Sequence, residues 1–470
     1  MKRTNLSFLL ILFMTVLGLG SCIEDGYTTS PSDQPAFSVD TLDMGVIFTE
    51  QPSTTHRFTV YNRASKGLSI SRISLSGANA GLFRLNVDGF SGTEFSDVEI
   101  RAKDSIFVFV ETTLPPNERN VPVEVTASLD FVTNGVTSSV TVAARGRDVV
   151  RLRTHTVEAD TRLTAEKPYQ IFDSLVVAEG TTLSIEPGAE LYFHDGARMV
   201  VRGTLKARGE AGKEITMAGD RTGFVAADIS FDIMDRQWTG LFFTATSRDN
   251  ELSYTHVCNT WQGVTVDGTD SAEPVKLLLV NSRLRNSGNM ALEVHDADIS
   301  AYGCEFAEAA AGVVLLDGGS HVLNHCTLSN YYLFAAIGGP LLAFDNVSAA
   351  ESPESTRPYT RATIDNCILY GLGSELSHTD LTGSDIMLRR CLLKSAGTDD
   401  NNFVNCLWDT DPMFRTVRED YYFDYRFKAD SPAIAAADPS LTAPEAATDR
   451  YGLPRGSAPD LGAYVYTPEE

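Results

Sequence analysis

The stretches SRLRNSGNMALEV (282–294), CEFAEAAAGVVLL (304–316) and CTLSNYYLFAA (326–336) begin 22 residues apart, twice in succession. At that offset Leu284, Phe306 and Leu328 coincide, and so do Cys304 and Cys326. A fixed period of this length marks a solenoid, whose repeats bury their apolar sides only against one another. A coil this long holds three short strands and their corners. Successive coils then stack about 4.8 Å apart, with equivalent residues in ladders. NCILYG (366–371) and RCLLKS (390–395) repeat the pattern of a polar residue, Cys, any residue and Leu. Cys304, Cys326, Cys367 and Cys391 are therefore assigned to one interior ladder of small apolar side chains. Disulfides between stacked neighbours stay open as the alternative. A leucine-rich repeat lacks support because its asparagine-centred consensus is missing, and a β-propeller needs longer blades.

Short β-branched runs separated by Gly-containing turns start earlier, over 174–219. Here LSIEPGAELYF (183–193), VVRGTLKARG (200–209) and WTGLFF (238–243) resemble the opening coils of right-handed parallel β-helix proteins of the pectate-lyase-like superfamily. The resemblance spans residues 149–425. The tail stretches FKADSPAIAAAD (427–438) and DRYGLPRGSAPDLGAYVY (449–466) resemble the choice-of-anchor Q segment of bacterial surface β-helix proteins. That segment usually has an acid after SPAI and a Glu in its GAY motif, where Ala435 and Val465 stand here. The resemblance thus implies structure rather than ligand binding, and residues 426–470 are expected to cap the last apolar rung.

Ahead of the repeats, residues 36–148 alternate with a period of two. Examples are HRFTVYN (56–62), DSIFVFVE (104–111) and VEVTASLDFVT (123–133), punctuated by Gly, Asn, Pro and Asp. The spacing predicts an antiparallel β-sandwich of seven or eight strands. LDMG (42–45), FTVYN (58–62) and VTVAARG (140–146) resemble immunoglobulin-like domains of the Hydin and major-sperm-protein type, which implies a spacer between an anchor and a larger module. The predicted fold is all-β: this sandwich followed by a right-handed parallel β-helix.

The chain opens with Lys2 and Arg3, then an uncharged apolar run, Leu6–Leu19. That run is short of the ~20 residues that span a bilayer but fits an export signal. LGSC (19–22) resembles a bacterial lipobox, which implies removal of residues 1–21 and acylation of Cys22 as the new N-terminus. The expected partner of Cys22 is outer-membrane lipid, with residues 22–35 as a flexible tether. Glu24 and Asp25 resemble the acidic tract that sends such lipoproteins to the outer face of the outer membrane. A formal charge of −24 sets the molecule against phosphate backbones, so no nucleic-acid partner is expected.

β-helix enzymes commonly cleave acidic polysaccharides, but the GHG, RIK and WIDH-like motifs of the known hydrolases and lyases are missing. A lyase needs a base and a means of neutralising uronate, often calcium. Arg283 and Arg285 share one side of a strand, with His295 later in the same coil, and these are the catalytic candidates. Asp296, Asp298 and Asp317 are the calcium candidates, since the 22-residue register sets Asp317 beside His295. The competing reading is solvated corner residues, and the same applies to His321, His325 and the turn GTDDNN (397–402). Trp261, Tyr331 and Tyr332 are candidates for stacking against sugar rings, with core packing as the competing reading. The expected function is a surface lipoprotein whose β-helix binds an extended glycan or host polymer. A calcium-dependent polysaccharide lyase or a glycoside hydrolase of divergent motif, and a structural envelope protein, are the alternatives; calcium is the one candidate cofactor, and the leading reading requires none.

Overall fold

The computed structural model describes residues 26–226, 229–268, 275–378 and 380–468. The expectations for the export signal, Cys22, Glu24 and Asp25 fall outside the described residues. The chain divides into two compact units between Asp148 and Val149.

In the first unit, period-two alternation puts every other side chain inside. Along Ser105–Thr112, Ile106, Val108 and Val110 are buried while Phe107 is exposed. Two five-stranded sheets result, and Val60, Val108, Leu129, Phe131 and Val142 fill the core between them. The sandwich departs from expectation in two ways. It has ten strands, and Thr41–Phe48 runs parallel, not antiparallel, to Val136–Arg147. Gly45, at φ 73°, lies where the register slips along that pair. Residues 26–35, expected to be a flexible tether, are also bound to the sandwich. Thr28 N–H donates to Gly67 O at 2.8 Å, and Gln34 Nε2 donates to Thr133 O at 3.0 Å.

The second unit is a parallel β-helix, with parallel sheets of ten and sixteen strands. The larger sheet bends at Tyr169–Val177, whose first half pairs with Glu190–Phe193 and second half with Arg198–Val201. It therefore supplies two of the three faces. One coil reads Leu292–His295, Ile299–Tyr302, Glu305–Ala309. The next reads Val314–Asp317, Ser320–Asn324, Thr327–Ser329, each strand in parallel register with its predecessor. Leu284 faces Phe306 and Phe306 faces Leu328, as the period requires.

The corner before the third strand explains the cysteines. Tyr254, Asn281, Gly303, His325, Asn366, Arg390 and Asn405 all sit there in the left-handed region, at φ 45° to 64°. The residues after them, Thr255, Ser282, Cys304, Cys326, Cys367, Cys391 and Cys406, turn inward as a column of small side chains. Ser282 Oγ donates to Leu252 O at 2.8 Å. The thiols of Cys326, Cys367 and Cys391 reach Ala301 O, Leu323 O and Ile364 O at 3.5, 3.5 and 3.3 Å. Each side chain thus fits a narrow corner and offers a weak donor to a backbone carbonyl of the preceding coil. All six described cysteines are free thiols.

The C-terminal segment corrects the expected cap. Rung stacking ends with Phe403–Val404 on one face and Leu407 on the third, not at Tyr425, and the chain turns into the hairpin Phe414–Val417 and Phe423–Phe427. From there it runs along the flank of the third face. Phe423, Tyr425, Phe427, Leu461 and Tyr464 pack on Ala307, Ile368 and Leu392, which belong to three different coils. The reason is compositional: ILY in 368–370 and LLK in 392–394 put apolar residues on both faces of a strand, so the outer face needs a cover.

Cys367→Ser is expected to change stability by less than ~1.5 kcal/mol, and Cys367→Leu to cost about 1–3 kcal/mol by overpacking the corner, measured by chemical unfolding. Thiol titration of the denatured, unreduced protein should find all six of these cysteines reactive.

Candidate functional site

Outward-facing residues of the third face form the column His256, Arg283, Glu305, Thr327, Ile368 and Leu392. Arg283 and Arg285 do share one side of their strand, opposite the core residue Leu284, but the C-terminal segment covers them. Arg285 Nη2 lies 3.0 Å from Glu308 and its Nη1 3.6 Å from Glu305. The hydroxyls of Tyr425 and Tyr464, both from the covering segment, donate to Glu308 and Glu305. Phe423 places its ring centroid 5.5 Å from the Arg285 guanidinium. Burial pushes the Glu308 carboxyl up to about 7, with Arg285 opposing the rise. Arg283 reaches His256 Nδ1 at 3.2 Å, and burial holds that imidazole well below its ordinary range. The catalytic reading of Arg283 and Arg285 is therefore corrected: Arg285 pairs one coil with the next through Glu305 and Glu308 beneath the segment, whose tyrosines bond the same carboxylates, and breaking such a buried pair costs about 3–5 kcal/mol.

The aromatic candidates separate. Tyr331 is half-buried under the same segment, 6.4 Å from the Tyr425 ring. Tyr332 is buried, donating its hydroxyl to Asp235 Oδ2 at 2.7 Å, so neither presents a face for stacking. Trp261 is 58% exposed. Its setting is built by residues 220–237, an excursion between the strands Ile215–Gly219 and Gly240–Phe243. Asn259 and Asn286, in left-handed conformations at φ 63° and 55°, pin that excursion to the helix flank. Asn259 Nδ2 donates to Asp232 O and Met234 O at 2.8 and 2.7 Å, and Asn286 Nδ2 to Asp232 O at 2.8 Å. Arg236 is thereby set with its guanidinium 5.8 Å from the Trp261 ring centroid. Gly288 makes room: a Cβ there would lie 2.7 Å from Arg236 Nε and 3.0 Å from Asp235 Oδ2. Asp235 joins the two sides, 3.4 Å from Arg236 Nε and bonded to Tyr332.

The coil beneath Trp261 continues onto the first face as a chain of polar groups. Asn289 Nδ2 donates to Glu293 Oε2 at 3.2 Å, and Glu293 Oε1 lies 3.0 Å from His295 Nε2. His295 Nδ1 lies 3.2 Å from Asp317 Oδ2, the neighbour the period predicts. The bond to Glu293 first, then that to Asp317, raises the His295 pKa to about 9. At neutral pH this group is a cation and a donor, not a base.

The calcium expectation meets a different cation. Arg357, from an excursion after Leu342–Asp345, reaches Asp317 at 3.0 Å and Asp296 at 3.3 Å. Asp298 turns away to accept Ser320 N–H at 2.7 Å. Asp296, Asp298 and Asp317 do not converge, and among the described residues no cluster of His, Cys, Asp or Glu has metal-holding geometry. His321 lies in an interior column between Ile299 and Ala362, with neither ring nitrogen hydrogen-bonded. Burial lowers its pKa to about 4. His325 occupies a corner with Nε2 2.9 Å from Thr442 Oγ1, and burial and Arg455 lower its pKa to about 2. Asp235, Arg236 and Arg357 were missed from sequence. Their only signal is that the excursions carrying them interrupt the 22-residue period.

No family is matched by the chain, and no curated protein is similar to it. Among solved structures, a protein of unknown function from Porphyromonas gingivalis W83 shares 12% identity, over 24% of this chain and 46% of that one, at TM-score 0.18. A family 123 glycoside hydrolase from Clostridium perfringens shares 7% identity, over 26% of this chain and 30% of that one, at TM-score 0.19. The chain thus spans less than half the length of either, and likenesses of this extent carry no argument about fold or role.

Two outcomes follow from the histidines. The His295 imidazole should titrate by NMR near pH 9, and Glu293→Gln should lower that midpoint. A base whose folded pKa is depressed contributes stability above its unfolded pKa, near 6.5, and loses it as pH falls toward 4. His321→Leu should therefore reduce the fall in melting temperature between pH 6.5 and 4. It should also raise melting at pH 7 by a few degrees, since two unbonded ring nitrogens leave the core.

Proposed function

We propose that the β-helix flank binds an extended glycan, with the Trp261 ring as its stacking platform and without catalysis by the groups on that flank. The observation that carries this reading is the exposed indole backed by Arg236, beside the Asp232 and Met234 carbonyls that Asn259 and Asn286 hold. Sugar rings stack on such faces, and the adjoining Asn289 and Glu293, the latter held by protonated His295, supply donors and acceptors for hydroxyls. The open strip favours a chain running across the coil over a small enclosed ligand. In this proposal the leader and Cys22 place the molecule on the outer membrane, anchored by its acyl chains, with the sandwich as spacer.

A polysaccharide panel tests the binding. At least one extended plant, host or microbial glycan should be retained by the purified protein, and Trp261→Ala should weaken that retention roughly fivefold to tenfold. Silence across the panel, or retention indifferent to Trp261, contradicts the reading. Release of unsaturated uronates from acidic polysaccharides, followed by ultraviolet absorbance, would replace it with a lyase acting through the Glu293, His295 and Asp317 group.

A further inference from the structure

A second place on the helix lies outside everything assigned above. Where rung stacking runs out, the last coils border an open cavity of about 460 Å³, lined by residues 373–376, 393–398, Asp400, Phe403 and Trp408. That volume falls in the range of small-ligand sites. Its apolar part is the end of the helix core: Phe403 and Trp408 pack at 5.0 Å between ring centroids, against Leu376 and Leu393. Gly397, Thr398 and Asp400 of the loop 397–402 line one side of it. Asp399 Oδ1 accepts the Trp408 indole N–H at 3.1 Å, and Gly397 packs against the indole so closely that a Cβ would lie 2.4 Å from it. The indole is thus fixed in place before any ligand arrives.

The charged groups around this core are one ammonium and two carboxylates. Lys394 Nζ donates to Gly371 O and Gly373 O, both at 3.0 Å, and an ammonium has a third donor. The buried Glu375 carboxylate accepts from Ser395 N–H and Ser395 Oγ, one bond at each oxygen, and carboxylate oxygens have capacity for more. Asp400 Oδ1 accepts from Asn402 and Phe403 N–H, which leaves Oδ2 for another donor. Two carboxylates against one ammonium disfavour an anionic ligand. Donors and acceptors spaced around an aromatic wall match a ring carrying several hydroxyls.

We propose that this cavity holds the terminal unit of a neutral sugar chain, a site for chain ends distinct from the Trp261 strip. The inference extends the glycan reading above, on which it rests for the ligand class. Its test uses short neutral probes that the strip has too few contacts to retain: cellobiose, xylobiose, mannobiose, chitobiose and lactose, titrated at millimolar concentration into the full-length protein and followed calorimetrically. At least one should bind. Glu375→Gln, which keeps the volume and an acceptor for Ser395, should weaken it roughly tenfold, and Trp408→Phe about threefold to tenfold. Trp261→Ala should leave disaccharide binding unchanged, which separates this site from the flank. Binding of a disaccharide beside silence on the polysaccharide panel would reject the flank and keep the cavity. No binding by any of the five, or binding indifferent to Glu375→Gln in a protein with unchanged melting, overturns the proposal.

Discussion

Parallel in-register pairing between successive coils is the constraint on which the second unit depends. Each strand of the inner coils is paired with the coil before and the coil after it, so a residue's neighbours above and below are set by register alone. The corner before the third strand shows how tight this is. A left-handed residue turns the chain, and the next side chain must be small enough for the inside of the bend. It also places a donor against a backbone carbonyl of the preceding coil. Serine meets both needs with a strong donor, and cysteine meets them with a weak donor and a more apolar body. The recurrent cysteines are thus a packing solution at one position of the coil, with no redox pairing between them.

A regular solenoid offers only regular surfaces, and this one acquires its local chemistry from interruptions. Residues 220–237 bring Asp235 and Arg236 to Trp261, the excursion after Asp345 brings Arg357 to Asp296 and Asp317, and residues 331–341 bring Tyr332 to Asp235. In each case the core rungs on either side continue in register. The interruptions are therefore free to vary without disturbing the stack, as surface loops generally are. The C-terminal segment works differently. It covers the one face whose outer side chains include both an apolar run and a buried charge pair, and its own tyrosines complete the hydrogen bonding of Glu305 and Glu308.

The solenoid was legible because 22 residues separate Leu284, Phe306 and Leu328, and the same arithmetic placed His295 beside Asp317. What the period could not show is which polar groups on the outside meet a partner from elsewhere in the chain. Arg283 and Arg285 read as surface residues because their coil alone leaves them exposed, and only the returning segment buries them. Arg357 is invisible for the same reason: its partners lie 61 and 40 residues away, outside any repeat. The doubled apolar residues of 368–370 and 392–394 did carry a sign of the covered face, since a strand with one solvated side would alternate.

Spin labels at Thr265 and Leu315 test the coil register most directly. These positions face outward on one sheet, two rungs apart through Glu293. Stacking predicts backbones about 10 Å apart and strong dipolar broadening between the labels. Labels that show no broadening, with residues fifty positions apart in sequence held well beyond ~20 Å, would contradict the stack and with it the placement of every side chain on the flank.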